Sequence, residues 1–125
     1  MVAYSVRETA HTDDEVDRIF RALADSTRRD IVRRTLVGPV NVSALAQDYA
    51  MSFAAVQKHV SVLEKAGLVD KEHHGRERRV RARAETIQKV RALLDEYARI
   101  WTARIDRLDA MFEEEDKQER GPDPI

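Results

Sequence analysis

Hydrophobic residues change their period at Gly67, and few folds accommodate that switch. Before it, Val56, Val60 and Leu63 recur at three- and four-residue steps, the spacing of one buried helix face. After it, Leu68–His73 and Arg78–Arg83 read as two strands around His74-Gly75-Arg76-Glu77. Glycine in such a turn takes backbone angles that other residues avoid. Ser52 stands as the cap of a helix over 53–66, and Asn41 as the cap of a shorter one over 42–49 that buries Val42, Leu45 and Ala46. Two short helices joined by Ala50-Met51-Ser52 form a helix-turn-helix, and the basic hairpin over 68–83 behind them is a wing. The expected fold class is mainly α with a small β-hairpin.

The flanking segments are helical in pattern. Thr12-Asp13-Asp14-Glu15 has the form of a capping box, and Val16, Ile19, Phe20 and Leu23 behind it predict a helix to about Ala24. Asp25 caps a second helix over 26–37, with Ile31, Val32, Leu36 and Val37 apolar, and Gly38-Pro39 stops it. From Glu85 or Thr86 to about Glu115, apolar residues follow one another by three or four, which predicts a helix roughly 45 Å long. Leu93, Ile100 and Met111 widen its stripe beyond what one neighbouring helix covers. The expectation is that this helix packs on the first helix and on a second copy of itself. The expected dimer interface is Val16, Ile19 and Phe20 with Leu94, Tyr97, Trp101, Ile105, Leu108 and Phe112. The expected division is a flexible arm over 1–11, a winged helix-turn-helix and dimerisation domain over 12–115, and an acidic disordered tail over 116–125.

Charge and inventory narrow the chemistry. The formal net charge is −1, which names no partner, but residues 51–91 carry ten basic and five acidic groups while 106–125 carry three and eight. A local basic block in a near-neutral chain is the electrostatic pattern of a nucleic-acid surface. The chain has no cysteine, which removes disulfides, thiolate metal sites and cysteine nucleophiles together. No apolar run is long enough to span a membrane, so the expected location is the cytoplasm. No nucleophile–base motif, Gly-rich phosphate loop or H-E-x-x-H is present, so an enzyme is not expected. No cofactor is expected either.

With Val56, Val60 and Leu63 inward, the helix over 53–66 turns Phe53, Ala54, Gln57, Lys58 and Ser61 outward. A recognition helix reads base edges with such residues near its N-terminus. Gln57 suits adenine, Lys58 suits guanine or a phosphate, and Phe53 or Ala54 suits a thymine methyl. Ser52 caps the helix and also offers a hydroxyl to phosphate. Arg76, Arg78 and Arg79 at the hairpin tip are placed for backbone phosphate or the minor groove, whereas Arg81 and Arg83 alternate toward solvent. Arg28 and Arg29 either meet phosphate or pair with acids, and His59 reads as a packed, hydrogen-bonded residue. His73 and His74 suggest a zinc or nickel site with His11 or Glu72, yet adjacent strand residues point to opposite faces, which disfavours chelation of one ion. Tyr97 and Trp101 serve a dimer core or, in a sharper reading, an aromatic ligand pocket.

Several segments then resemble, in order, the ArsR/SmtB family of winged-helix repressors. They are Phe20-Arg21-Ala22-Leu23-Ala24-Asp25-Ser26-Thr27-Arg28, Ser43-Ala44-Leu45-Ala46, and Ser52 through Val69 with its Val56-Gln57-Lys58-His59-Val60 and Ala66-Gly67-Leu68-Val69. Gly75 to Val80 is similar to the family's wing, and Tyr97, Trp101 and Arg104 to Leu108 to the last helix of one branch. Ser26 replaces the family's usual proline, and Gln57 replaces its usual serine, which implies altered base preference on an unaltered fold. Helix 42–49 has no cysteine and helix 85–115 no histidine, so the resemblance implies a member without the family's usual metal sites. It also implies repression by a homodimer on an inverted repeat of double-stranded DNA, with any effector unspecified. Two alternatives stand beside it: a protein-interaction module using the long helix and acidic tail, and a metal-responsive repressor using the wing histidines.

Overall fold

The structure, a computed structural model, describes residues 13–120. The capping Thr12, the expected arm over 1–11 and residues 121–125 lie outside the described residues. In chain order the elements are α1 (Asp13–Leu23), α2 (Ser26–Val37), β1 (Val40–Asn41), α3 (Val42–Tyr49), α4 (Phe53–Lys65), β2 (Val69–His74), β3 (Glu77–Ala82) and α5 (Ala84–Arg120). The described residues fall into two units, one ending at Val90 and one beginning at Arg91, so α5 starts in the first and continues into the second.

In the first unit the cores of the helices close on the sheet. Ile19 and Ala22 of α1, Ile31 and Val32 of α2, Val42 and Leu45 of α3 and Val56, Val60 and Leu63 of α4 are buried with Leu68, Val69 and Val80. Each such aliphatic side chain contributes about 1.5–3 kcal/mol by leaving water. Ile87 and Val90, in the first turns of α5, pack against the same cluster. Ile19 is thereby removed from the expected dimer face. At 2% exposure it anchors α1 in the chain's own core, and Phe20, 41% exposed, carries the apolar surface of that helix.

The caps follow the sequence. Asp25 accepts from the Arg28 N–H at 3.0 Å, Asn41 from Ser43 at 2.7 Å and Ala44 at 3.3 Å, and Ser52 from Ala55 at 3.1 Å. Each side chain satisfies backbone donors that a helix start leaves unpaired. Gly67, φ 77°, ends the α4 segment, and its carbonyl accepts the buried Thr86 hydroxyl at 2.6 Å.

The sheet has the order β1-β3-β2, all antiparallel. Strand β1 was not anticipated; its two residues pair Val40 with Val80 and Asn41 with Arg79. The hairpin is tighter than expected, with only Gly75 and Arg76 between the strands and φ 67° at Gly75. Helix α5 runs to Arg120 rather than stopping near Glu115, so 116–120 are helical and not a disordered tail. Asp116-Lys117-Gln118-Glu119-Arg120 contains no helix breaker, and the first one is Gly121-Pro122.

Helix α3 is tied to α2 by polar contacts. Tyr49 donates its hydroxyl to Asp30, Arg34 pairs with Asp48 at 2.7 Å, and the Arg34 guanidinium lies 5.6 Å from the Tyr49 ring centre. The Tyr49 hydroxyl, followed by Arg33, holds the Asp30 carboxyl below the ordinary carboxylate value. Together they tie α3, the first helix of the helix-turn-helix, to α2.

Candidate nucleic-acid interface

Helix α4 sorts its residues by angle from the buried stripe. Successive helical residues turn by about 100°, so Ala54 and Lys58 lie opposite Val56, and both are exposed. Ser52 at the cap is exposed, and Phe53 is 45% exposed. Gln57 and Ser61 sit at the border of the stripe and are only part-buried. Gln57 departs from expectation. Its Nε2 and Oε1 are both buried and have no hydrogen-bond partner among the described residues, so the amide is withdrawn from solvent rather than presented to it. An amide buried without a partner costs about 1–3 kcal/mol.

The wing has two chemically distinct faces. Cα partners across a β-ladder share a face, which puts Val69 with Ala82, Lys71 with Val80 and His73 with Arg78 on one side. The other side holds Asp70 with Arg81, Glu72 with Arg79 and His74 with Glu77. On that second side the positive charge is largely balanced. Arg79 pairs with Glu77 at 3.3 Å, and Arg83 bridges Asp70 at 3.8 Å and Glu85 at 3.0 Å. The Arg83 hydrogen bond, chiefly, draws the Glu85 carboxyl below its ordinary value.

Arg76 and Arg78 differ. Neither makes an ion pair among the described residues, and both line a cleft of about 360 Å³ shared with Asn41, Ser43, Phe53 and Glu77. The structure thus brings the wing tip and the first turn of α4 to one cleft that holds two arginines, one glutamate and an aromatic ring. Of the three wing arginines expected to contact DNA, it leaves two uncommitted and pairs the third with an acid.

Other candidates are placed elsewhere. Arg28 donates to the Ala22 carbonyl at 2.7 Å and the Arg21 carbonyl at 3.1 Å, and Arg29 to the Leu23 carbonyl at 2.8 Å. Both guanidinium groups therefore close the C-terminal end of α1; Arg28 also pairs with Asp25 at 3.9 Å, in line with the acid-pairing expectation, whereas Arg29 makes no ion pair among the described residues. Arg28 also lies 3.4 Å from the His59 ring at Nδ1, which gives His59 its polar contact. His73 and His74 face opposite sides of the wing, and among the described residues no group of three His, Cys, Asp or Glu is placed to hold a metal ion. In the second unit Leu94, Tyr97, Ile100, Trp101, Met111 and Phe112 are each exposed by half or more, with Arg104 over the Trp101 ring at 5.8 Å. No described helix is long and apolar enough to cross a membrane.

A helix-turn-helix with a basic hairpin behind its second helix defines the winged helix-turn-helix class. The chain is 41% identical over 86 residues to the HTH-type transcriptional regulator Rv2034 of Mycobacterium tuberculosis, a match covering 69% of this chain and 78% of that protein. It resembles the crystal structure of the ArsR family transcriptional regulator RHA00566 with a TM-score of 0.69 at 34% identity, covering 75% of this chain and 97% of that one. The solution structure of Mb0332 from Mycobacterium bovis, described as a homodimeric winged helix-turn-helix DNA-binding domain, matches with a TM-score of 0.59 at 28% identity over 78% of this chain and 90% of that one. No family profile matches the chain. The chain belongs to the ArsR family of winged helix-turn-helix transcriptional regulators.

Proposed function

We propose that this regulator represses transcription by occupying an inverted-repeat operator as a homodimer. Helix α4 lies in the major groove, with Lys58, Ala54, Phe53 and Gln57 toward the base edges and Ser52 toward phosphate. Arg76 and Arg78 hold the neighbouring backbone, and Arg79 contributes less because Glu77 already engages it. The observation that carries this reading is the cleft joining the first turn of α4 to two wing arginines that have no acidic partner among the described residues. The protein acts by binding, not by catalysis. The second copy covers the apolar face of α5 at Leu94, Tyr97, Trp101, Ile105, Leu108 and Phe112, with Val16 and Phe20 adding surface on α1. Support for a dimer comes from the exposure of Leu94, Tyr97, Trp101 and Phe112, with Ile105 and Leu108 part-buried between them, and from the homodimeric Mb0332 domain.

Selection of bound duplexes from random DNA, at two salt concentrations, tests the reading. The expected result is an inverted repeat with half-sites one helical turn apart, roughly 34–36 Å, bound less tightly at higher salt. Enrichment of no sequence, with all binding lost at moderate salt, contradicts it.

A further inference from the structure

We propose that Gln57 is a stowed reader of adenine: its carboxamide is withdrawn from solvent in the free protein and swings into the major groove when DNA binds. This rests on the reading of α4 as the recognition helix and adds to it a conformational step and a base identity.

Three observations carry it. Both polar atoms of the Gln57 amide are buried without a partner among the described residues, although the residue as a whole is only part-buried. The position lies between the buried line of Val56 and Val60 and the exposed line of Ala54 and Lys58. A side chain at such a border can reach either environment through its rotamers. Finally, a carboxamide presents one donor and one acceptor side by side in a plane. In the major groove adenine alone presents the matching pair, the N6 amino donor beside the N7 acceptor, whereas guanine offers two acceptors there and cytosine a donor.

The stowed position has a consequence that an ordinary surface reader lacks. An unbranched apolar side chain of the same length keeps the stem packing and removes the unpaired amide. Gln57→Met is therefore expected to stabilise the free protein while weakening its reading of one base, two effects of opposite sign. A solvated reader would change base preference with little change in stability. A purely structural glutamine would leave base preference alone.

The full-length protein and its Gln57→Met and Gln57→Ala variants are each melted without DNA and each used to select duplexes from the same random pool. Gln57→Met is expected to raise the melting midpoint by roughly 3–8 °C. Both variants are expected to lose one adenine from each selected half-site, keep the remaining positions, and bind the unaltered protein's site about tenfold more weakly. Retention of that adenine by both variants overturns the inference and leaves DNA recognition by α4 standing. A melting midpoint for Gln57→Met at or below that of the unaltered protein overturns the stowed conformation. Selection of no motif by the unaltered protein overturns the DNA-binding reading, and this inference with it.

Discussion

The winged unit and the part of α5 beyond Arg91 use their hydrophobic residues in opposite ways. In the first, Leu45, Val56, Val60 and Leu63 are fully buried, and the capping residues and the α2–α3 polar contacts satisfy the surrounding backbone and side-chain groups. In the second, Trp101 is 59% and Phe112 62% exposed, on a helix whose apolar spacing is as regular as that of α4. The winged unit has a core of its own. The distal helix has an apolar face that a single chain leaves in water, which singly scattered surface residues would not form. A fold complete in one region and unpartnered in the other is what the proposed homodimer, joined through α5, requires.

Substitution in the two regions separates them. Leu45→Ala is expected to cost about 2–5 kcal/mol of folding stability, read as a lower denaturation midpoint. Trp101→Ala is expected to weaken self-association by about 2 kcal/mol or more, read by sedimentation, with the far-ultraviolet spectrum preserved. If Trp101→Ala unfolds the protein and leaves its oligomeric state unchanged, the division fails.

A finer contrast lies within the wing. Arg78→Ala is expected to lower DNA affinity across all sequences and to reduce the salt slope by about 0.9. Arg79→Ala should do distinctly less, because its guanidinium is paired with Glu77. Equal effects in salt titrations would show that the two wing faces are not distinct.

The cap at Ser52 comes next in size. Ser52→Ala is expected to destabilise the protein by about 1 kcal/mol, seen in chemical denaturation, with a further loss of DNA affinity if the hydroxyl meets phosphate.

The smallest effect is in acid. Asp25 and Asp30 are held below the ordinary carboxylate value, Asp25 mainly by the Arg28 N–H and Asp30 mainly by the Tyr49 hydroxyl. Their contribution is present above the unfolded value near pH 4 and is lost as pH falls through the lower folded values. Tyr49→Phe should therefore reduce stability at neutral pH and narrow the gap from the unaltered protein below about pH 4. Denaturation midpoints at pH 7 and pH 3 check it.

Where a residue's role depends on its own helix or on one turn, the sequence revealed it. The bounds of α2 and α3 follow directly from Asp25 and Asn41 as caps and from Gly38-Pro39 as a stop. Roles that depend on a second element were hidden. Strand β1 is two residues long and has no period of its own to detect. Arg28 and Arg29 reach the end of α1 only once α1 and α2 have packed. The division of the wing arginines follows from which of them an acid reaches: Glu77 engages Arg79 and leaves Arg76 and Arg78 without an ion pair among the described residues, and no period in the sequence marks that. Gln57 read as outward because a helical wheel gives the direction of the Cβ, while the amide's final position depends on rotamers and neighbours.

Sedimentation of the protein with a duplex carrying its selected sequence, at a concentration of both well above the dissociation constant, tests the central claim most directly. The account predicts two chains on each duplex, and none on the same sequence with one half-site scrambled once salt removes non-specific binding. One chain per duplex, bound equally well to the scrambled site, would contradict it.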